Sequence, residues 1–211
     1  MKHFFLIIGV ISMIIISCDE ETETELKDKI IYVDLSADLT LHPVDSVGFH
    51  PSGLCQEVIP FPSDSTVIVD LDINQDGDDD FRFTYSTFYE WVSASSPCAN
   101  YNSTLQVSGL KADNKIMVAN EDMNEISVLE NGDLINSDQL FSDNAIIYRD
   151  NAMAFLYFGD FLGEGFIGFK LSGGELGWIK LDFQKDSFTC EIMEYGYNET
   201  INSQMTAGQM E

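Results

Sequence analysis

The stretch Thr66-Val67-Ile68-Val69-Asp70-Leu71-Asp72-Ile73 decides the fold class, because apolar side chains recur in it at every second position. In an extended chain, side chains two positions apart point to the same face. The apolar face consists of Val67, Val69, Leu71 and Ile73, and the opposite face contains Thr66, Asp70 and Asp72. This alternation is typical of a β-strand that buries one face in a core and leaves the other in water.

The same alternation recurs in the segments 81–85, 167–171 and 179–184. A hairpin is predicted between the last two, because Ser172-Gly173-Gly174 supplies glycine for the positive φ that tight turns need. Further short strands are predicted at 30–35, 39–42, 104–107, 115–119, 125–130, 153–158 and 188–195, and one or two helical turns at 142–149. About ten short strands with Gly, Asn and Asp turns predict an all-β fold, a single β-sandwich or jelly-roll-like domain.

The segment 70–80, which joins two predicted strands, carries six aspartates in eleven residues. Like charges at this density are costly unless a cation neutralises them. Oxygen-bearing side chains recur at alternate positions before Gly77, which permits a sharp turn, and the Asp78 carbonyl is free to join them. The sequence predicts a calcium site whose ligands are Asp72, Asn74, Asp76, Asp78 and Asp80.

This loop is not a complete EF-hand, because its twelfth position is Phe83 where a bidentate Glu should stand. Its nine-residue form resembles the short calcium loops between strands of integrin-like propeller repeats. A calcium ion bound here would staple the hairpin that the flanking strands form. The alternative is an acidic hairpin turn that binds nothing.

The N-terminus predicts export from the cell. Residues 4–16 form an apolar run that is too short to span a bilayer comfortably as a helix. The run ends in Ile15-Ile16-Ser17-Cys18, which resembles a bacterial lipobox. Residues 1–17 are therefore predicted to be a lipoprotein signal peptide, and Cys18 to carry the lipid that anchors the chain to the membrane. The alternative is an ordinary cleaved signal in which Cys18 is incidental.

Residues 18–29 are predicted to be a lipidated acidic tether, because positions 19–25 hold five acids and no core signal. The acidic run resembles a surface-export signal of some Gram-negative bacteria, whereas Asp19 beside the cysteine resembles an inner-membrane retention signal of others. The length of the run favours the first interpretation, a surface-exposed outer-membrane lipoprotein of the cell envelope. Residues 30–211 remain, which is enough for one domain with a substantial core.

The net charge restricts the partners. The whole chain has a formal charge of −26, and removal of residues 1–17, which hold one Lys and no acid, leaves 9 minus 36, or −27. Such a surface repels nucleic acid, so no nucleic-acid partner is expected. It favours cations or a basic partner, although acidity that serves only solubility explains the charge equally well.

Three cysteines remain once Cys18 is lipidated, which allows one disulfide and one free thiol. Cys55 and Cys98 stand in loop-like contexts, whereas Cys190 lies inside a predicted strand. A disulfide between Cys55 and Cys98 is therefore predicted. The alternative is three reduced, buried thiols.

Several fragments together resemble a family of exported bacterial proteins, many of them lipoproteins of unknown function. The shared features are an opening strand, an Asp-rich loop, a pair of C-terminal strands and a tyrosine-containing close. In this chain they are Ile31-Tyr32-Val33-Asp34, Asp72-Ile73-Asn74-Gln75-Asp76-Gly77 with Asp80-Phe81, Phe166-Ile167-Gly168-Phe169 with Gly177-Trp178-Ile179, and Glu194-Tyr195-Gly196-Tyr197 before Ala207-Gly208. The resemblance implies an exported β-domain with a metal loop, and it brings no catalytic residues.

The sequence offers little for catalysis. Only His42 and His50 follow the predicted signal, and no nucleophile elbow, zinc-protease motif or phosphate loop is present. The predicted function is a non-enzymatic module that binds a glycan or a protein partner. The alternative is a calcium-dependent carbohydrate-active enzyme, for which Glu164, Glu191 and Glu194 are the candidate carboxylates.

Overall fold

The computed structural model describes residues 28–44, 46–49, 58–61, 64–90, 100–151, 156–158 and 161–211. The predicted signal peptide, the lipidation site Cys18 and all of the tether except residues 28 and 29 lie outside these ranges. The predicted disulfide partners Cys55 and Cys98 lie outside them as well. Within the described ranges, no helix is both long enough and apolar enough to cross a membrane.

The described part of the chain is built of β-strands with one short 3-10 helix, Lys185–Ser187, and no α-helix. The strands are β1 (Ile30–Leu41), β2 (Ser46–Phe49), β3 (Val58–Phe61), β4 (Ser65–Leu71), β5 (Phe81–Glu90), β6 (Asn100–Gly109), β7 (Lys115–Asn120), β8 (Glu125–Ile126), β9 (Val128–Leu129), β10 (Leu134–Ile135), β11 (Phe141–Ser142), β12 (Asn144–Asn151), β13 (Leu156–Phe158), β14 (Gly163–Lys170), β15 (Leu176–Gln184), β16 (Thr189–Asn198) and β17 (Met205–Thr206). The all-β prediction is confirmed.

Ten of these strands form one mixed, hydrogen-bonded sheet in the order β1-β16-β15-β14-β7-β8-β12-β6-β5-β4. Neighbours in this order are antiparallel except β8 and β12, which are parallel. The end strands β1 and β4 contact one another, so the sheet is nearly closed and barrel-like. β9, β11 and β13 pair at its sides, and β2 with β3 and β10 with β17 form separate two-stranded pairs.

The sheet differs from the predicted two-sheet sandwich because β7 joins its two halves. Lys115 and Ile116 in β7 pair with β14, and Val118 and Asn120 further along the same strand pair with β8. Hydrogen bonding therefore runs from one half of the molecule into the other. Alternation with one buried face is common to sandwiches and barrels, so the sequence pattern does not distinguish them.

The segment 142–149 is not helical. It contributes to β11 and β12, and β12 pairs with β6 along most of its length. A register shift between Ile146 and Tyr148 lets the consecutive residues Ala145 to Tyr148 all be buried. A β-bulge of this kind breaks the period of two, and the unbroken apolar run then looks helical in the sequence.

The hairpin predicted between β14 and β15 is confirmed. Gly174 has a φ of 98°, and its N–H donates to the carbonyl of Leu171 at 2.9 Å. Eight consecutive pairs, from Gly163 with Phe183 to Lys170 with Leu176, then hold the two strands in register. This register fixes which side chains share the outer face of the sheet.

Two apolar clusters cover opposite faces of this part of the sheet. The larger cluster fills the interior and includes Phe81, Phe169 and Tyr195. The second lies on the outer face, where Leu129, Met205 and Ala207 pack with Trp178. The C-terminal segment after β16 therefore covers the outer face of β15, and it leaves a groove beside the covered area.

Candidate functional site

The acidic loop between β4 and β5 folds around the carboxylate of Asp72. Both oxygens of Asp72 accept backbone N–H groups of the loop, from Asp76 at 3.2 Å and from Gly77 at 2.8 Å. Gln75 and Gly77 adopt positive φ values of 58° and 95°, which turn the chain sharply at this point. The strand-loop-strand arrangement predicted from the sequence is confirmed.

Asp80 closes the loop from the buried side. It is 1% exposed, and its Oδ2 accepts the backbone N–H of Ile73 at 2.9 Å. Its Oδ1 accepts Nδ2 of Asn114 at 3.0 Å, and Asn114 is fully buried. The Asn114 Oδ1 accepts the backbone N–H of Ser172 at 2.7 Å, so this network ties the acidic loop to the β14–β15 hairpin.

Lys111, from the loop between β6 and β7, supplies the positive charge nearest the acidic loop. Its Nζ lies 3.0 Å from Asp76 Oδ2 and 3.0 Å from Asp80 Oδ1. The hydrogen bonds to Asp80 and then Asp76 raise the pKa of Lys111 above its ordinary value. The hydrogen bond from the Asp78 backbone and then the one from Lys111 lower the pKa of Asp76.

A calcium ion in the loop would have to compete with these contacts. Calcium takes six to eight oxygen ligands, whereas here each oxygen of Asp72 accepts a backbone N–H and Lys111 contacts both Asp76 and Asp80. Asp78 is exposed. In the described part of the chain, no three Asp, Glu, His or Cys side chains are grouped so that they could hold a metal ion. The calcium site therefore stays a prediction.

A second cluster of charged side chains lies in a groove over β14, β15 and β16. Strand register places Phe166 opposite Lys180, and Lys180 opposite Glu194. Glu164 is two residues before Phe166 and so lies on the same face. This outer face also carries Tyr32 of β1, which pairs with Gly196, two residues after Glu194 on β16.

The charged groups of the groove form a chain of ion pairs, which one hydrogen bond extends to Tyr32. Lys180 Nζ lies 3.2 Å from Glu164 Oε2 and 3.6 Å from Glu194 Oε1, and the hydroxyl of Tyr32 donates to Glu194. Burial alone would lower the pKa of Lys180, but the hydrogen bond to Glu164 and the charges of Glu164 and Glu194 outweigh it and raise that pKa. The hydrogen bond to Glu194 raises the pKa of Tyr32 to about 12.

The walls of the groove are largely apolar. Its volume is about 580 Å³, and its lining includes Val128, Leu129, Phe166 and Met210 beside the charged residues. Ligand pockets in proteins typically measure about 300–1,000 Å³ and combine apolar walls with a few placed polar groups. The groove can therefore accept a small ligand that has both an apolar face and hydrogen-bonding groups.

The structure brings together two of the three carboxylates that the sequence singled out. Glu164 and Glu194 both contact Lys180, whereas Glu191 lies further along β16, opposite Asp182, and does not line the groove. Sequence reasoning missed Lys180 and Tyr32 as site residues. Alternation in β15 and β1 shows that both side chains lie on the outer face. That they meet the two carboxylates becomes visible only once β15 is known to pair with β14 and β16.

Trp178 is not part of the exposed site. A tryptophan on a strand can serve as a ligand platform or as a side chain that covers the sheet. It is fully buried, and its Nε1 donates to the carbonyl of Gln209 at 3.3 Å. A Cβ at Gly196 would lie within 2.9–3.1 Å of the Trp178 ring, so glycine at this position lets the ring lie against β16. Trp178 therefore covers the sheet.

Comparisons of this chain with protein-family models, curated proteins and solved structures found no match.

Proposed function

We propose that this chain is a non-enzymatic binding module of the bacterial cell envelope that takes a glycan in the groove over β14, β15 and β16. The supporting observation is that Glu164, Lys180 and Glu194 lie together beside apolar walls in one groove, with Tyr32 donating to Glu194 from β1. The lipid on Cys18 would hold the domain at the membrane. The acidic tether would let the groove face the surroundings of the cell.

A glycan matches this groove better than a purely apolar or a strongly anionic ligand. A sugar ring has an apolar face, which suits Phe166 and Met210, and a rim of hydroxyl groups that both donate and accept hydrogen bonds. Glu164 and Glu194 accept such bonds and Lys180 donates them. Because carboxylates outnumber ammonium groups in the groove, and the whole chain is strongly acidic, neutral or basic sugars are favoured over acidic ones.

The second candidate function is a carbohydrate-active enzyme. It is favoured by one observation, the approach of Glu164 and Glu194 to the same lysine. Glycoside hydrolysis needs two carboxylates about 5–9.5 Å apart with the scissile bond or a water molecule between them. Here Lys180 lies in the space between the carboxylates, where the substrate would have to react. Binding without turnover is therefore the preferred function.

The experiment is a glycan array followed by a hydrolysis screen on the glycans that bind. The test variant is Glu194→Gln, and the matched control is Glu191→Gln, which removes the same charge from the same strand outside the groove. A hydrogen bond to a charged group contributes about 1.5–3 kcal/mol, so Glu194→Gln should weaken binding about tenfold to a hundredfold. The control should bind as the wild type does.

Three outcomes would decide against the proposal. Equal loss of binding in both variants would mean that general charge, not the groove, holds the glycan. Cleavage of a bound glycan would establish the enzyme instead. Absence of binding to every neutral and basic glycan on the array would remove the proposed ligand class. Thermal unfolding of each variant checks that the fold is retained.

A further inference from the structure

The acidic loop carries a high density of negative charge, which positive charge from elsewhere in the chain must offset. Five carboxylates lie within residues 72–80, in a protein that has only ten lysines and arginines. Asp70, just before the loop, is already paired with Arg82 through two hydrogen bonds of 2.7 Å. Arg82 is therefore engaged outside the turn, and the turn itself needs another source of positive charge.

Several carboxylate oxygens inside the turn accept hydrogen bonds from backbone N–H groups of the loop. Asp72 uses both of its oxygens on backbone N–H groups, and Asp76 uses Oδ1 on the N–H of Asp78 at 2.8 Å. Asp80 uses Oδ2 on the N–H of Ile73. The other oxygens of Asp76 and Asp80 both contact Lys111, although Oδ2 of Asp76 also accepts Nδ2 of Asn74 and Oδ1 of Asp80 also accepts Nδ2 of Asn114. A metal ion in the turn would therefore compete with Lys111 for those two oxygens.

Lys111 comes from a different loop, and that loop is held firmly in place. Asn114, three residues later, donates from its backbone to the Lys111 carbonyl at 3.0 Å and from its buried side chain to Asp80. The Leu110 N–H donates to the Asp80 carbonyl at 2.8 Å. The residues on both sides of Lys111 are thus fixed to Asp80. The fold therefore places the Lys111 ammonium group beside the carboxylates of the acidic loop.

We infer that the Lys111 ammonium takes the place of a divalent cation, so that the acidic loop of this chain is closed without metal, and that its positive charge opposes calcium binding there. An ammonium 3.0 Å from two carboxylates offsets their repulsion as a bound ion would. Calcium in the wild type would have to displace Lys111 or lie beside it, and both are unfavourable. The inference is independent of the groove and of its ligand.

The test compares calcium binding by the wild type and by Lys111→Met, which keeps most of the length of the side chain and removes its charge. The matched control is Lys115→Met, which breaks the nearby surface ion pair with Asp143 and leaves the acidic loop intact. Calorimetric titration of metal-stripped protein with calcium chloride should give no binding heat at millimolar calcium for the wild type and for Lys115→Met. Lys111→Met should bind calcium at least about tenfold more tightly than the wild type.

Melting temperatures supply a second measurement. Lys111→Met should melt below the wild type in chelator and should recover part of the loss when calcium is added, because a ligand of the folded state stabilises it. Calcium-dependent stabilisation of the wild type would overturn the inference, and so would a Lys111→Met variant that folds and ignores calcium. If Lys111→Met does not fold without metal, Lys111→Arg, which keeps the charge, must fold and ignore calcium. Calcium binding by Lys111→Arg would contradict the inference.

Discussion

Substitution of Asn114 is the perturbation whose effect can be worked out in most detail from the structure. Asn114→Ala removes two hydrogen bonds to Asp80, of 3.0 Å to its carboxylate and 3.1 Å to its carbonyl, and one of 2.7 Å from Ser172. Lys111 still contacts the Asp80 carboxylate, so the buried charge keeps one partner. Buried hydrogen bonds to neutral and charged groups then predict a loss of about 2–4 kcal/mol in the free energy of unfolding.

Asn114→Asp should be worse, although it is closer in size to the native residue. Its oxygen can still accept the Ser172 N–H, but its second oxygen replaces the Nδ2 that faces Asp80, so two carboxylates meet in a buried position. This repulsion adds about 2 kcal/mol or more at neutral pH. The exposed control Asn74→Ala, in the same acidic loop, should cost no more than about 1 kcal/mol.

The assay for these variants is urea unfolding at neutral pH, with the midpoint and the slope fitted separately. An unchanged slope with a lower midpoint means that stability, not the compactness of the unfolded chain, has changed. The expected order of stability is wild type, then Asn74→Ala, then Asn114→Ala, then Asn114→Asp. Asn114→Asp at or above Asn114→Ala would refute the reasoning, because it would mean that no carboxylate faces position 114.

The remaining predictions concern three other side chains. Contact with Glu194 raises the pKa of Tyr32 from 10.0 to about 12, so the folded state holds the hydroxyl proton more tightly than the unfolded chain does. The stability that this contact contributes is therefore complete below pH 10 and is lost as the pH rises to about 12. Tyr32→Phe should therefore make the alkaline fall in the urea midpoint shallower, and an unchanged fall would contradict the contact. Burial raises the pKa of the Cys190 thiol to about 12, so a thiol reagent at mildly alkaline pH should label Cys190 only in denaturant, as read by peptide mapping; labelling of the native protein would show that the site is open. Because Trp178 is fully buried, Trp178→Ala should lower the free energy of unfolding by about 3–5 kcal/mol, and Trp178→Phe should lower it clearly less. A loss of no more than about 0.5 kcal/mol for Trp178→Ala, measured by urea unfolding, would mean that the C-terminal segment does not cover the ring.

The local parts of the fold were predictable because they depend on short-range rules. Alternation in 66–73 and 81–85 predicts β4 and β5, and the glycines after Ser172 predict the turn between β14 and β15. Closure of the sheet was not predictable, since it depends on β7 pairing with β14 at one end and with β8 at the other. No local pattern records which strands become neighbours.

The candidate site shows the same limit. The residues of the acidic loop are consecutive, so their grouping is visible in the sequence, but Lys111 lies more than thirty positions after the loop and reaches it only through the fold. Glu164 and Glu194 stood out as carboxylates on terminal strands. Lys180, which joins them, looked like any outward-facing residue of an alternating strand until β15 was placed between β14 and β16.

The central claim, that the groove over β14, β15 and β16 binds a glycan, is tested most directly by locating the bound sugar. The measurement is a backbone amide chemical-shift titration of the full mature chain with the neutral oligosaccharide that the array selects. We expect saturable shifts concentrated at 164–166, 180, 194 and 208–210, which Glu191→Gln retains and which Glu194→Gln shows only at about tenfold to a hundredfold higher sugar concentration. Saturable shifts confined to another face, with 164–166 and 194 unmoved, would contradict it.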